Sequence, residues 1–279
     1  MKNKVAVITG ASRGIGQAIA QRLAKDGVLS VINYATNAEA AAATVANIEA
    51  SGGAAFALKG DVSSLTEIQQ FYEQLDTELT KRTGTNQFDI LVNNAGVGGG
   101  ITTIDQTTEE QFDYLFAVNV KGTFFVTQMA IPRLRDGGTI VNISSVASRK
   151  PAADLVTYGL TKAAIDNLTL VLASELGKRG ITVNAIAPGY TATDLNTEIF
   201  KDPTVREPIE SMTAFSRIGK VSDIANVAAF LASDEGGWVT GQYIEASGGF
   251  RLNTSRLIPE SGKLKVVPQE APTSQCLSI

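Results

Sequence analysis

Two kinds of segment alternate along the chain. Short, nearly uninterrupted apolar runs occupy 5–8, 29–32, 54–58, 90–92, 140–143 and 181–186, each of strand length and each closed by glycine or polar residues. Between them, apolar residues recur at a helical period over 16–25, 39–50, 65–79, 109–133 and 158–177, as expected of helices with one buried face. Strand alternating with helix predicts a parallel sheet. Because the strand runs are apolar at consecutive positions rather than every second one, both sheet faces must be covered. The pattern predicts an α/β fold with a doubly wound parallel sheet, Rossmann-type, in a single domain spanning 1–250.

From 189 to 217 the pattern loosens into polar, proline-containing sequence with the character of a lid. A helical period resumes over 222–232, before a last short run at 243–246. Residues 251–279 mix Pro, Ser, Gln and scattered charge without a period, and read as a tail. No internal repeat or low-complexity linker divides the chain.

At 279 residues, 44% hydrophobic and 19% charged, the chain has the composition of one ordinary globular α/β domain. The net charge of -4 supplies no basic field, so no nucleic-acid partner is expected. The apolar run before Thr9 and Gly10 is too short for a secretory core or a spanning helix, which predicts a cytoplasmic protein with no membrane partner. One cysteine, Cys276, forms no intrachain disulfide and no multi-thiolate centre, so no metal site is expected. The chain has no histidine, which excludes Ser-His-Asp hydrolysis, histidine bases and most zinc catalysis. Acids and bases must come from Tyr, Lys, Asp, Glu or Cys.

Directly after the first run comes Thr9-Gly10-Ala11-Ser12-Arg13-Gly14-Ile15-Gly16, which opens a helix. Glycines let backbone approach a pyrophosphate, and a helix N-terminus offers unpaired N–H donors and positive potential. A merely tight turn is the plainer alternative, but the position immediately after strand one favours dinucleotide binding. Taken singly, Tyr158 and Lys162 also have the spacing of a surface i,i+4 pair, Ser145 could be a loop hydroxyl and Asn119 a helix cap.

The glycines at 10, 14 and 16 resemble those of the short-chain dehydrogenase/reductase family. So do Asn93-Asn94-Ala95-Gly96, Asn119 within Val118-Asn119-Val120-Lys121-Gly122, Pro188-Gly189, and Ser145 followed by Tyr158 and Lys162 at the family spacings. These ordered motifs run from about residue 4 to 249. The resemblance implies a nicotinamide-dependent oxidoreductase interconverting a ketone and a secondary alcohol. It assigns Tyr158 as acid/base, Lys162 as the group that lowers its pKa and holds the nicotinamide ribose, Ser145 as the donor orienting the substrate oxygen, and Asn119 as support for a water-linked relay. It also implies a dinucleotide held by Gly10, Ser12, Arg13, Gly14, Ile15, Gly16, Asn93, Ala95, Gly96, Pro188 and Gly189. Asp61 and Val62 would border the adenine, and Thr191 or Thr193 would bond the carboxamide or a phosphate.

The residue chemistry agrees with that implication. A tyrosine is the natural neutral acid when histidine is absent, but its free pKa of about 10 is too high. Lys162 lies one helical turn further on the same face, and together with the positive nicotinamide its charge would favour tyrosinate and lower that pKa. At the end of strand two, Asn33-Tyr34-Ala35-Thr36-Asn37 carries no carboxylate to repel a 2′-phosphate. Tyr34 and Thr36 would flank the adenosine, Thr36 and Asn37 can donate hydrogen bonds, and Arg13 could pair with the phosphate. NADP(H) is therefore expected in preference to NAD(H).

Asn142-Ile143-Ser144-Ser145 and Gly180-Ile181-Thr182-Val183-Asn184 resemble the 3-oxoacyl-[acyl-carrier-protein] reductase and glucose dehydrogenase branch. An acidic carrier needs basic docking residues, for which Arg133, Arg135, Lys178 and Arg179 are candidates. Asp136, where a basic residue would be expected, counts against the carrier, so general carbonyl reduction leads, with sugar or polyol oxidation as an alternative. Tyr190, Leu195, Ile199, Phe200 and Phe215 suggest a partly apolar substrate pocket, or packing on the core. A non-catalytic nucleotide sensor remains a separate reading, opposed by the presence of Ser145, Tyr158 and Lys162. The family resemblance implies a homotetramer built on the long helices and the sheet edge near Tyr243.

Overall fold

The structure, a computed structural model, describes residues 1–98, 100, 102–194 and 196–252. The chain runs β1 (Val5–Ile8), α1 (Gly14–Lys25), β2 (Leu29–Tyr34), α2 (Ala38–Ala50), β3 (Ala54–Lys59), α3 (Leu65–Thr83) and β4 (Phe88–Asn93). It continues through α4 (Glu109–Phe116), a π-helical turn (Ala117–Gly122), α5 (Thr123–Ala130), β5 (Leu134–Ile143), α6 (Val156–Leu176) and β6 (Thr182–Pro188). The last elements are β7 (Thr191–Ala192), α7 (Pro203–Ser211), β8 (Gly219–Lys220), α8 (Val221–Ala232) and β9 (Tyr243–Ala246).

Seven strands form one parallel sheet in the order β3-β2-β1-β4-β5-β6-β9. The chain winds outward from β1 to β3, then returns and winds the other way from β4, so the order reverses between β1 and β4. In β1, Ala6 and Ile8 face a core shared with α1, α2 and α8, whereas Val5 and Val7 face one shared with α3, α5 and α6. Two buried faces explain why the strand runs are continuously apolar. The helix starts follow from local capping: the Asn37 side chain accepts from Ala40 N (2.8 Å) at α2, Ser64 accepts from Glu67 N at α3, and Thr108 with Gln111 forms a capping box at α4.

Three differences from the sequence reading have physical causes. The stretch 109–133 is not one α-helix: the ladder widens to a π turn over Ala117–Gly122, and α5 ends at Ala130. Strand β5 begins at Leu134 rather than 140, because a register shift against β4 between Phe88 and Ile90 accommodates Arg135–Gly138. The segment 189–217 carries real elements, the two-stranded β7–β8 pair and α7, which begins at Pro203 under an Asp202 cap. Among the described residues no helix is long and apolar enough to cross a membrane, and no group of three His, Cys, Asp or Glu could hold a metal ion.

Candidate active site

At the strand-order reversal, the carboxyl ends of β1 and β4 diverge and leave a crevice. Polar side chains at the strand ends hold its two banks. Thr9 Oγ1 accepts from the backbone N–H groups of Asn94 and Ala95 (3.0 Å each), and Asn94 Nδ2 donates to the carbonyls of Thr9 and Gly10 (2.9 and 3.0 Å). Asn33 at the end of β2 accepts from Gly10 N (3.3 Å) and donates to the Gly60 carbonyl (2.9 Å). Gly10 and Gly14 both have φ +60°, a left-handed backbone that side chains disfavour, so the chain can turn sharply into α1. Gly16 serves closeness instead: a Cβ there would lie 2.6 Å from the Gly10 carbonyl oxygen and collide with Asn94 Nδ2.

The resulting cleft, about 560 Å³, is lined by Gly10, Ser12, Arg13, Gly14, Ile15, Tyr34, Thr36, Asp61, Val62, Ala95, Gly96, Ser145, Tyr158, Lys162, Pro188, Gly189, Thr191 and Thr193. Three residues expected at the site stand behind it. Gly16 packs the α1 start against the β4 end. Asn93 is 5% exposed and turns into the core, its Nδ2 donating to Thr127 Oγ1 and Asn142 Oδ1 (2.9 Å each). Asn119 is 1% exposed; its Oδ1 accepts from Val97 N (2.8 Å) while its Nδ2 donates to the Val97 carbonyl (2.9 Å) and to Thr161 Oγ1 (3.1 Å). The π turn carries this amide inward, where it clamps the cleft wall to α6. Of the expected apolar pocket residues, Tyr190 lines the cleft, edge-on to Phe250, whereas Ile199, Phe200 and Phe215 are not among its walls. Leu195 and the segment 253–279, including Cys276, lie outside the described residues.

At the inner end of the cleft, Ser145, Tyr158 and Lys162 meet. Ser145 follows β5; its Oγ accepts from Ala147 N (3.2 Å), which leaves the hydroxyl proton free for another acceptor, and its carbonyl accepts from Ser148 Oγ (2.8 Å) and Tyr243 OH (3.4 Å). Tyr158 is half-buried in the first turn of α6. Lys162 is buried, its Nζ donating to the Ile143 carbonyl (2.9 Å) and lying 5.6 Å from the Tyr158 ring centre. Burial raises the Tyr158 pKa and hydrogen bonding with Ser145 opposes the rise. In the chain by itself, without the positive nicotinamide that the expected lowering includes, desolvation of the phenolate is the larger effect. The same burial pulls Lys162 down to about 8, against a raising contribution from Asp166.

At the other end no carboxylate caps β2. Arg13 and Thr36 are exposed at the cleft rim, and Asn37 Oδ1 is occupied as the α2 cap. Sequence reasoning missed Asn33 and Asn94, which pin the turn. It also missed Tyr114, which faces the cleft from α4, and Asp194, whose Oδ2 accepts from Gly14 N at 3.2 Å. For Tyr114 a signal was available: the aromatic cluster Phe112, Tyr114 and Phe116 is too broad for the one buried stripe of α4.

A parallel α/β crevice with a glycine turn at one end and a Ser-Tyr-Lys cluster at the other defines a dinucleotide-dependent oxidoreductase site. Residues 10–251 match the family model described as "Enoyl-(Acyl carrier protein) reductase". An uncharacterized oxidoreductase of Methylorubrum extorquens is 42% identical over 252 residues, covering 90% of this chain and 99% of that protein. The 3-oxoacyl-[acyl-carrier-protein] reductase of Staphylococcus aureus is 37% identical over 251 residues, covering 89% and 98%. Among solved structures, that of the angucycline C-6 ketoreductase LanV with bound NADP superposes with a TM-score of 0.85 at 43% identity, covering 90% of this chain and 96% of that one. The chain belongs to the short-chain dehydrogenase/reductase family, and its chemistry is that of an oxidoreductase acting on the carbonyl/alcohol couple.

Proposed function

We propose that the chain is an NADP(H)-dependent reductase converting a free ketone to a secondary alcohol, with Tyr158 as the proton donor. The observation that carries the reading is the convergence of the Ser145 hydroxyl and the Tyr158 phenol at one end of the cleft, beside the buried Lys162. Two neighbouring hydroxyl groups on the cleft wall suit a carbonyl oxygen better than a carbon–carbon double bond.

The residues present fit a dinucleotide. Gly10, Gly14 and the N-terminus of α1 would take the pyrophosphate, and bare backbone at Gly96 would admit the nicotinamide ribose beside Lys162, because a Cβ there would point at Asn119 Oδ1 and Lys162 Nζ. Arg13 and Thr36, with no acid at the end of β2, would accept a 2′-phosphate. When bound, the nicotinamide supplies the hydride. Tyr158 gives its phenolic proton to the carbonyl oxygen, Ser145 donates a hydrogen bond to the same oxygen, and the Lys162 ammonium favours the tyrosinate that remains. Asn119 acts through Val97 and Thr161 rather than on substrate.

Carrier docking is disfavoured by the ion pairs of the candidate arginines. Arg133 is held by both oxygens of Asp76 (2.7 Å each), Arg135 by Asp89 (2.9 Å), and Arg179 by Asp136 (2.7 Å) and the Ile131 carbonyl. Tyr114 and Tyr190 on the walls, and the likeness to an angucycline ketoreductase, favour a flat aromatic or alicyclic ketone. Assembly as a cytoplasmic homotetramer fits Trp238, 99% exposed near the β9 edge, and the exposed Phe124 and Val171 on α5 and α6; light scattering on the purified protein tests the stoichiometry.

The deciding experiment titrates the protein with NADPH and NADH by fluorescence, then assays the better binder against aromatic ketones, simple ketones, acetoacetyl thioesters and, in reverse, glucose. Tight NADPH binding with turnover of a free ketone is expected. Tyr158→Phe should keep NADPH binding and lose about two to four decades of turnover. Near-normal turnover in that variant would remove Tyr158 from the mechanism.

A further inference from the structure

One buried carboxylate has no part in the chemistry described so far. Asp166 lies one turn beyond Lys162 on α6, on the same helix face, and is 9% exposed. Its Oδ1 accepts from Ser144 Oγ at 2.5 Å, and its Oδ2 faces Arg149 Nε at 3.5 Å. The Ser144 hydroxyl also stands 3.4 Å from the Lys162 carbonyl. Ser144 sits between Ile143, whose carbonyl holds the Lys162 ammonium, and Ser145. The carboxylate thus clasps the end of β5 to α6 where three site residues take their positions.

A carboxylate this buried is usually neutralised by a close cation. Among the described residues its ion-pair partner is loose and half in solvent: Arg149 stacks on the Tyr243 ring at 3.7 Å from its centroid. Other charges around the pair are spent or remote. Lys150 is paired with Glu245 at 2.7 Å on the β9 side, and Lys121 of the π turn is exposed. Tyr243 also feels the carboxylate: burial, and to a lesser degree Glu245 and Asp166, raise its pKa. The field of Asp166 therefore falls on Lys162 as well as on Tyr243.

We propose that Asp166 is a positioning residue for the reduction, fixing the place of the Lys162 ammonium through its clasp on Ser144 and the charge of that ammonium through its own carboxylate one helical turn away. The catalytic consequence rests on the function proposed above; the charge itself does not. In a chain labelled with [ε-13C]lysine, the Lys162 resonance, assigned by its loss in Lys162→Ala, reports protonation without cofactor or turnover. In the parent chain it should titrate near pH 8, to which burial pulls the group and against which Asp166 holds it.

Asp166→Asn keeps the shape and an acceptor for Ser144 but removes the charge, and should lower the Lys162 midpoint by about one unit, a tenfold loss of proton affinity. Arg149→Gln, a surface change with little risk to folding, removes the competing cation and should raise the midpoint. Ser144→Ala, which loosens the clasp but leaves the carboxylate, should not lower it. The alkaline limb of kcat/KM for ketone reduction should follow each shift. An unmoved midpoint in Asp166→Asn, a fall in Arg149→Gln, or an equal fall in Ser144→Ala would overturn the proposal. A midpoint that moves in a protein reducing none of the ketones would sink the reductase reading and leave the electrostatic one standing.

Discussion

Asn119 offers the sharpest separation between acting on substrate and holding the site. Asn119→Ala removes hydrogen bonds at 2.8, 2.9 and 3.1 Å, each worth about 1 kcal/mol net, and strands the N–H and carbonyl of Val97. Val97 is partly exposed, so water can recover some of that loss. The expected destabilisation is about 2–4 kcal/mol, or roughly 5–15 °C in Tm for a domain of this size. Urea melts give the free energy, and fluorescence titration and steady-state kinetics give the NADPH affinity and kcat/KM on the same preparations. Because Val97 and Gly98 form the cleft wall, dinucleotide affinity should fall with stability. A variant that loses turnover completely while its stability stays within about 0.5 kcal/mol of the parent would refute this reasoning and make Asn119 a direct participant in proton transfer.

Two further outcomes test the cofactor end of the cleft. Gly16→Ala should destabilise by about 1–3 kcal/mol despite the better helix propensity of alanine, because the new methyl meets the Gly10 carbonyl and Asn94; a urea melt showing equal or greater stability would contradict the close approach. Arg13→Ala should weaken NADPH by about tenfold or more while leaving NADH nearly unchanged, the loss of a charge-assisted contact to phosphate; equal losses for both in the titration would remove Arg13 from 2′-phosphate recognition.

The parts of the fold that could be read from the sequence were those in which one physical demand acts on many consecutive residues. Burial on both faces wrote the strand runs, and β1 and β9 fall where the apolar pattern places them. The π turn was not legible, because a helical recurrence of apolar residues over 109–130 marks a helix without telling which hydrogen-bond ladder it uses. Family spacing led to Ser145, Tyr158 and Lys162, and all three meet in the cleft. The same motifs do not tell which way Asn93 and Asn119 point: a motif preserves a residue's position in the chain, not the direction of its side chain, and both amides turn inward to satisfy buried partners. Asn33 and Asn94 stand in the strand-two and Asn-Asn-Ala-Gly runs, but their bridging role could not be read there, because a polar residue ending an apolar run resembles ordinary strand punctuation. Their function, bridging two strand ends across the crevice, exists only in three dimensions.

Burial acts on Tyr158 and Lys162 alike, driving each toward its neutral form, yet the consequences for the reaction differ. A phenol raised above its usual pKa stays protonated through the neutral range, which is the state reduction requires. A lysine pulled down to about 8 still carries its charge at pH 7, but holds it at a cost. Below pH 8 the ammonium is protonated in both folded and unfolded chains and the full desolvation penalty bears on the fold. Between 8 and the unfolded value near 10.5 the folded chain sheds its proton first, so the penalty is relieved as pH rises. That net penalty is of order 3 kcal/mol, and a methionine there would forgo the bond to the Ile143 carbonyl. Lys162→Met should therefore be more stable than the parent chain at pH 7 by about 1–2 kcal/mol in urea melts, the gain shrinking from pH 8 toward 10, while ketone reduction is lost. Stability equal to or below the parent's at pH 7, with no pH dependence of the difference, would mean that the ammonium sits in a site polar enough to solvate it. The tension between fold and reaction would then have to lie in another residue.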